Sequence, residues 1–205
     1  MNKTSILIGL LAFAMGIGAA QYYLSRQAPA MSAASDEGGT LVPVADGKFG
    51  GDFTLMQGDK PVKLSDFQGK LVLMYFGYTS CPDVCPTSLS VIAAGLKQLT
   101  PEELAQVQPI FISVDPERDN GEKLMNYATY FHPSFIGLTG SPEDVLKVSR
   151  QYGAFFAKVQ SDSAMGYLID HTSNSYLVSK DGQYVKILPH DMNKDDVAKN
   201  IRQAL

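Results

Sequence analysis

The stretch from Lys70 to Leu99, KLVLMYFGYTSCPDVCPTSLSVIAAGLKQL, constrains the fold more than any other part of the chain. It opens with Lys70 to Phe76, a run almost wholly apolar and rich in branched or aromatic side chains, the composition of a short strand buried on both faces. Gly77 ends that run. From Thr87 to Leu99 the pattern changes to a helix, with Leu89, Ile92, Ala93, Leu96 and Leu99 at helical spacing. Between strand and helix lies Tyr78-Thr79-Ser80-Cys81-Pro82-Asp83-Val84-Cys85-Pro86, which carries both cysteines of the protein. The two thiols therefore sit where a strand hands over to a helix.

With 205 residues, 45% of them hydrophobic, the chain can bury one sizeable core and carry appended segments, and it does not call for a second full domain. The net charge of −4 hides an asymmetry, because Lys3 and Arg26 flank an N-terminal apolar segment while every acidic residue lies at Asp36 or beyond. Without those two cations the chain holds 15 basic against 21 acidic residues. No basic stripe is present, which argues against nucleic acid as a partner, and an acidic surface would suit a basic protein.

Thr4 to Ala20 is free of charge and dominated by Ile, Leu, Ala, Gly, Met and Phe, with Tyr22, Tyr23 and Arg26 behind it. About 20 apolar residues cross a bilayer and tyrosines favour its interface, so residues 1–26 predict a single transmembrane helix acting as a membrane anchor. The competing reading is a cleaved signal peptide ending near Gly18-Ala19-Ala20. Either reading exports the bulk of the protein. A bacterial inner membrane with the domain facing the periplasm fits best, and Lys3 favours a cytoplasmic N-terminus. Residues 27–47 (QAPAMSAASDEGG and its continuation) are too poor in apolar side chains to order themselves and predict a flexible tether. Residues 48–205 form the folded domain.

Within that domain, Asp52–Leu55 and Pro61–Leu64 predict two short strands around Gly58-Asp59. Thr100-Pro101-Glu102-Glu103 predicts a short capped helix, and Gln108–Val114 a second buried strand ending at Asp115-Pro116-Glu117-Arg118-Asp119. Leu124, Tyr127, Ala128 and Phe131 make a helical stripe broken at His132-Pro133. Phe135–Leu138 predicts a third strand, and Ser141-Pro142-Glu143-Asp144 opens a helix carrying Val145, Val148 and Tyr152 inward. Ala154–Val159 and Tyr167–Ile169 are short strand-like pieces. Ser175–Val178 and Tyr184–Leu188 flank Asp181-Gly182, an antiparallel hairpin signal, and Asn193 with Asp196 caps a last helix presenting Val197, Ile201 and Leu205. Strand–helix alternation early and a hairpin plus helix late predict an α/β thioredoxin-like fold, a central mixed sheet flanked by helices. In such sheets the functional crevice lies off the carboxyl ends of the strands, where Cys81 and Cys85 fall.

A structural disulfide is the ordinary use of two cysteines in an exported protein, yet a loop this small removes little chain entropy. A helix N-terminus favours thiolates, which makes these sulfurs nucleophiles and soft-metal ligands. The C-x-x-x-C spacing is wider than the C-x-x-C of thiol oxidoreductases. Two thiolates leave an ion under-coordinated, and the sequence offers three histidines. His171, in Asp170-His171-Thr172-Ser173 just before a strand expected beside the cysteine loop, is the candidate third ligand. His132 at a helix end reads as a capping or surface residue, and His190 as a loop residue with at most a minor role in metal uptake alongside Met192. Two thiolates and an imidazole make a soft site that selects Cu(I) and tolerates Cu(II), whereas structural zinc wants a fourth ligand. Asp83 inside the cysteine loop and Asp115 at the end of the second strand stand either near the site, to tune it or dock a partner, or merely in water.

Gly77–Pro86, Ser113-Val114-Asp115-Pro116-Glu117-Arg118-Asp119 and Asp170-His171-Thr172-Ser173 together resemble the Sco (SenC/PrrC) family, membrane-tethered copper chaperones for cytochrome c oxidase, over about Phe49 to Leu205. The resemblance implies copper binding by Cys81, Cys85 and His171 and a part in maturing the binuclear copper centre of the oxidase. It implies as partner the copper-bearing oxidase subunit or another copper chaperone. Thiol exchange on cysteines of the oxidase or of partner proteins belongs to the same implied repertoire. Two readings thus stand: a metallochaperone without catalytic turnover, and an enzyme, a thiol-disulfide oxidoreductase in which Cys81 attacks and Cys85 resolves.

Overall fold

A computed structural model describes residues 49–161 and 166–205. The expected anchor (1–26) and tether (27–47) lie outside the described residues, and among those described no helix is long and apolar enough to cross a membrane. The domain opens with a hairpin of β1 (Thr54–Gln57) and β2 (Lys60–Lys63), and a 3₁₀ turn at Leu64–Phe67 delivers the chain to β3 (Leu71–Gly77). Then follow helix α1 (Val84–Leu96), the short α2 (Pro101–Ala105), β4 (Val107–Ser113), α3 (Gly121–Phe131), β5 (Ile136–Leu138) and α4 (Pro142–Gln151). A second hairpin, β6 (Phe156–Gln160) with β7 (Tyr167–His171), precedes β8 (Ser175–Val178), β9 (Tyr184–Leu188) and α5 (Lys194–Ala204).

The central sheet has the order β5-β4-β3-β8-β9, with β3, β4 and β5 parallel and β8 and β9 antiparallel to their neighbours. This is the mixed sheet that the alternation of elements predicts, and its logic is one of burial. Every residue of β3 is buried, because β3 lies in the middle of the sheet between β4 and β8 with side chains covered on both faces. The helix starts are chemically marked. Thr100 and Glu103 form a reciprocal cap on α2, Ser141 accepts from the Asp144 N–H on α4, and Asn193 with Asp196 caps α5.

Two boundaries near the cysteines and His171 depart from the sequence pattern. Helix α1 begins at Val84 rather than Thr87, since Pro86 falls in the first turn, where a missing N–H costs no helical hydrogen bond. Cys85 thereby becomes part of the helix and not of the loop. Strand β7 runs on to His171, whose Cα partner is Phe156 in the β6–β7 pair. That hairpin is a separate two-stranded sheet.

Candidate metal centre

Strand β3 ends at Gly77, and a tight turn in which the Cys81 N–H donates to the Tyr78 carbonyl (3.2 Å) brings Cys81 to the mouth of α1. Cys85 follows within the first turn of the helix. Both thiols are free; Cys81 is 9% exposed and Cys85 fully buried. Because Ser175 at the start of β8 lies opposite Tyr75 of β3, the chain just before β8 passes over the same end of the sheet, and β7 delivers His171 there. The His171 Nε2 lies 3.1 Å from the Cys85 Sγ. Among the described residues, Cys81, Cys85 and His171 form a group whose ligating atoms all lie within 4.8 Å of one another.

The imidazole is oriented from behind. Its Nδ1 lies 3.2 Å from the Thr172 carbonyl, a contact that fixes the plane of the ring and leaves Nε2 facing the sulfurs. Tyr75 and Tyr78 pack edge-on against the ring, with centroids 6.2 and 5.8 Å away. Tyr78 is itself held by the Ile169 N–H, which donates to its hydroxyl oxygen at 3.2 Å, tying β7 to the end of β3.

The two sulfurs share one proton unequally. The hydrogen bond from Cys85 holds the Cys81 thiol well below its ordinary range in spite of burial, with help from His171 and the Asp83 and Cys85 backbone N–H groups. The same shared bond, and then burial, push Cys85 up. The outer sulfur is therefore the thiolate and the inner one its donor, a division that belongs to the pair as a unit.

Two carboxylates near the site prove to be architectural. Asp119 is fully buried and accepts from the Thr79 N–H (2.6 Å), the Thr79 hydroxyl and the Ser113 hydroxyl (2.8 Å), with Lys123 at 3.0 Å. It thereby clamps the chain two residues before Cys81 onto the end of β4. Asp115, also fully buried, pairs with Arg118 and accepts from the Tyr167 hydroxyl (2.8 Å). Arg118 in turn lies over the Tyr167 ring, 3.7 Å from its centroid, and donates to the Tyr167 carbonyl at 3.0 Å. Asp115 thus anchors the β6–β7 hairpin that carries His171. Asp83 is exposed, makes no side-chain cap, and acts on the site through its backbone N–H to Cys81. Of the sequence candidates, then, Cys81, Cys85 and His171 are brought together, while Asp115 and Asp83 stand behind and beside them. Asp119 was visible only as one of a charged run, and nothing in the sequence marked Tyr75 or Thr79 as neighbours of the site.

The other histidines lie apart from this group. His132 follows α3 as its C-terminal cap residue, and it is buried rather than a surface cation. Its Nδ1 accepts from the Ser134 N–H at 3.2 Å, and burial, aided by Lys97, holds its pKa below the usual imidazole value. His190 is an exposed loop residue and shares a small recess with Met192, Ser88 and Ser173.

A thioredoxin-like sheet that presents two thiols at a helix mouth and aims an imidazole at them from a hairpin defines a dithiol–imidazole protein with a soft-metal donor set. The chain belongs to the SCO1/SenC family, whose profile matches residues 43–205. It is 38% identical over 204 residues to the Arabidopsis thaliana mitochondrial protein SCO1 homolog 1, covering 94% of this chain and 60% of that protein. A SCO2-like protein of Rickettsia prowazekii is 37% identical over 198 residues, 96% of this chain and 94% of the relative. The crystal structure of Arabidopsis thaliana ScoI with copper bound superimposes with a TM-score of 0.71 at 37% identity, over 76% of this chain and 97% of that one.

Proposed function

We propose that the protein is a membrane-anchored copper metallochaperone: Cys81, Cys85 and His171 take up one copper ion as cargo, and the domain, exported to the periplasmic side of a bacterial inner membrane, hands it on during maturation of the binuclear copper centre of cytochrome c oxidase. The recipient is the copper-bearing oxidase subunit or another copper chaperone. The observation that carries this reading is the convergence of two sulfurs and one imidazole nitrogen within 4.8 Å. An ion held about 2.0–2.3 Å from sulfur and imidazole donors brings those donors about 3.5–4.5 Å apart, within reach of small side-chain rotations here. Two thiolates and a neutral imidazole favour Cu(I), and the low ligand count leaves room for an incoming ligand from a partner, so transfer proceeds by ligand exchange. Cys81 lies at the rim and Cys85 in the interior, which makes Cys81 the sulfur that a partner reaches first.

That same asymmetry favours one second reading. An outer thiolate backed by an inner thiol is the arrangement of a thiol-disulfide oxidoreductase, with Cys81 attacking a partner disulfide and Cys85 resolving the mixed disulfide. Anaerobic copper titration of the reduced protein separates the two. The chaperone reading expects one copper per folded domain, no binding in Cys81→Ala or Cys85→Ala, and weakened binding in His171→Ala. Unchanged affinity and spectrum in His171→Ala would refute the three-ligand site. Disulfide reductase activity without metal, insensitive to His171→Ala, would favour the oxidoreductase.

A further inference from the structure

Behind Cys85 the site is closed by Tyr75, and its hydroxyl is an anomaly. Tyr75 is fully buried in the middle of β3, stacked against Phe111 (centroids 6.4 Å apart, planes at 16°) and edge-on to His171. Its hydroxyl oxygen is out of water and makes no hydrogen bond among the described residues. A buried, unpartnered hydroxyl costs stability, and a phenylalanine would fill the same space without that cost.

The neighbourhood says what the hydroxyl faces. A methyl group built on Gly77, two residues along β3 and so on the same face of the sheet, would meet the Cys85 Sγ at 2.6 Å and the Tyr75 ring edge at 3.1 Å, so sulfur and ring border one small space. The groups that act on the ionisation of the hydroxyl, beside burial itself, are Cys85, Ser88 and Cys81. Ser88 stands one turn after Cys85 on α1. A thiol sulfur is only a weak acceptor, and the tyrosine hydroxyl has no partner among the described residues. A metal ion changes that, because Cys85 must lose its proton to become a ligand. Its sulfur then carries charge in a dry pocket with an O–H group at its back.

We propose that the Tyr75 hydroxyl is a hydrogen-bond donor to the Cys85 thiolate in the metal-loaded site, and that this bond sets both the copper affinity and the energy of sulfur-to-copper charge transfer. Tyr75 is on this account a positioning and tuning residue that never touches the ion. The inference rests on the copper reading of the site. A hydrogen bond to a metal-bound thiolate stabilises charge on the sulfur, which strengthens the ligand set and moves thiolate-to-Cu(II) charge transfer to higher energy.

The test uses the reduced parent protein, Tyr75→Phe, and Tyr127→Phe as a control. Tyr127 is a half-buried tyrosine whose hydroxyl oxygen is likewise out of water and makes no hydrogen bond among the described residues, placed on α3 against Phe111 with centroids 5.3 Å apart. Cu(I) is titrated in competition with bicinchoninate, and Cu(II) is added separately to record the charge-transfer band. Tyr75→Phe is expected to weaken Cu(I) binding about tenfold and to move the band to lower energy, with Tyr127→Phe unchanged in both. Parent-like affinity and band in Tyr75→Phe overturn the proposal, as do equal shifts in the two variants. Failure of the parent to bind copper overturns the copper reading itself. Ultraviolet resonance Raman of the parent needs no variant: copper addition should convert one tyrosine to a hydrogen-bond donor, and an unchanged tyrosine spectrum refutes the bond.

Discussion

Gly77 separates the geometry of the site from the identity of its ligands. It closes β3 with its carbonyl accepting from the Val114 N–H at 2.8 Å, and its backbone is held in register with Ser113, so it cannot drift away from the helix. A Cβ added there would stand 2.6 Å from the Cys85 Sγ, 3.1 Å from Phe111 and 3.1 Å from Tyr75. Restoring an ordinary contact of 3.4 Å requires the sulfur to retreat by about 0.8 Å, whereas metal–ligand distances tolerate about 0.2 Å. Gly77→Ala keeps all three donors yet pushes one of them out of place. Overpacking of this kind costs about 1–3 kcal/mol, or about 2–10 °C in Tm for a domain of this size. Loss of copper affinity should be about 10–100-fold, as for disturbed support of a ligand. Gly95→Ala is the matched control, since its Cβ would meet the Val197 Cγ1, also at 2.6 Å, where α1 packs on α5. Thermal unfolding and chelator competition on both variants decide the matter. Both should lose stability and only Gly77→Ala should lose affinity; parent-like copper binding in Gly77→Ala, or an equal loss in Gly95→Ala, would refute the reasoning.

Asp119→Asn removes the charge that accepts from Thr79 and Ser113, and should lower unfolding free energy by about 3 kcal/mol in urea titrations; an unchanged midpoint would mean that the clamp carries no stability. Iodoacetamide should alkylate Cys81 of the reduced protein at a rate that barely falls between pH 8 and pH 5, because the bond from Cys85 keeps it a thiolate there. Cys85→Ala should restore the ordinary tenfold fall per pH unit; such a fall in the parent would disprove the shared proton. His132 is held neutral by burial, its folded pKa lying below the unfolded value of about 6.5. Its contribution to stability is therefore complete above pH 6.5 and is lost as pH falls through the folded pKa. His132→Asn, which retains an acceptor for the Ser134 N–H, should flatten the fall in stability below pH 6.5; parallel curves for variant and parent would argue against it.

Much of this architecture is written locally. The apolar run Leu71–Gly77 could only be a strand covered on both faces, and it lies in the middle of the sheet. Thr100, Ser141 and Asn193 each cap the helix their sequence announces. The close spacing of Cys81 and Cys85 keeps their sulfurs near one another, one in the loop before α1 and one in its first turn. Local reading failed where a residue has two local meanings. The sequence pattern puts Pro86 in the loop before the helix, whereas it is part of the first turn, and it reads His132 as a capping or surface residue, whereas it caps α3 and is buried.

What the sequence determined by itself is the pair of thiols at a strand–helix junction, because that depends on neighbours along the chain. Tertiary structure alone decided that an imidazole 86 residues after Cys85 should come to rest 3.1 Å from its sulfur. That contact needs β8 to pair with β3 in one register, the β6–β7 hairpin to be tied down through Asp115, Arg118 and Tyr167, and Asp119 to fix the approach to Cys81. Each of these is a long-range choice made by burial and by the pairing of buried polar groups, and periodicity carries no record of it.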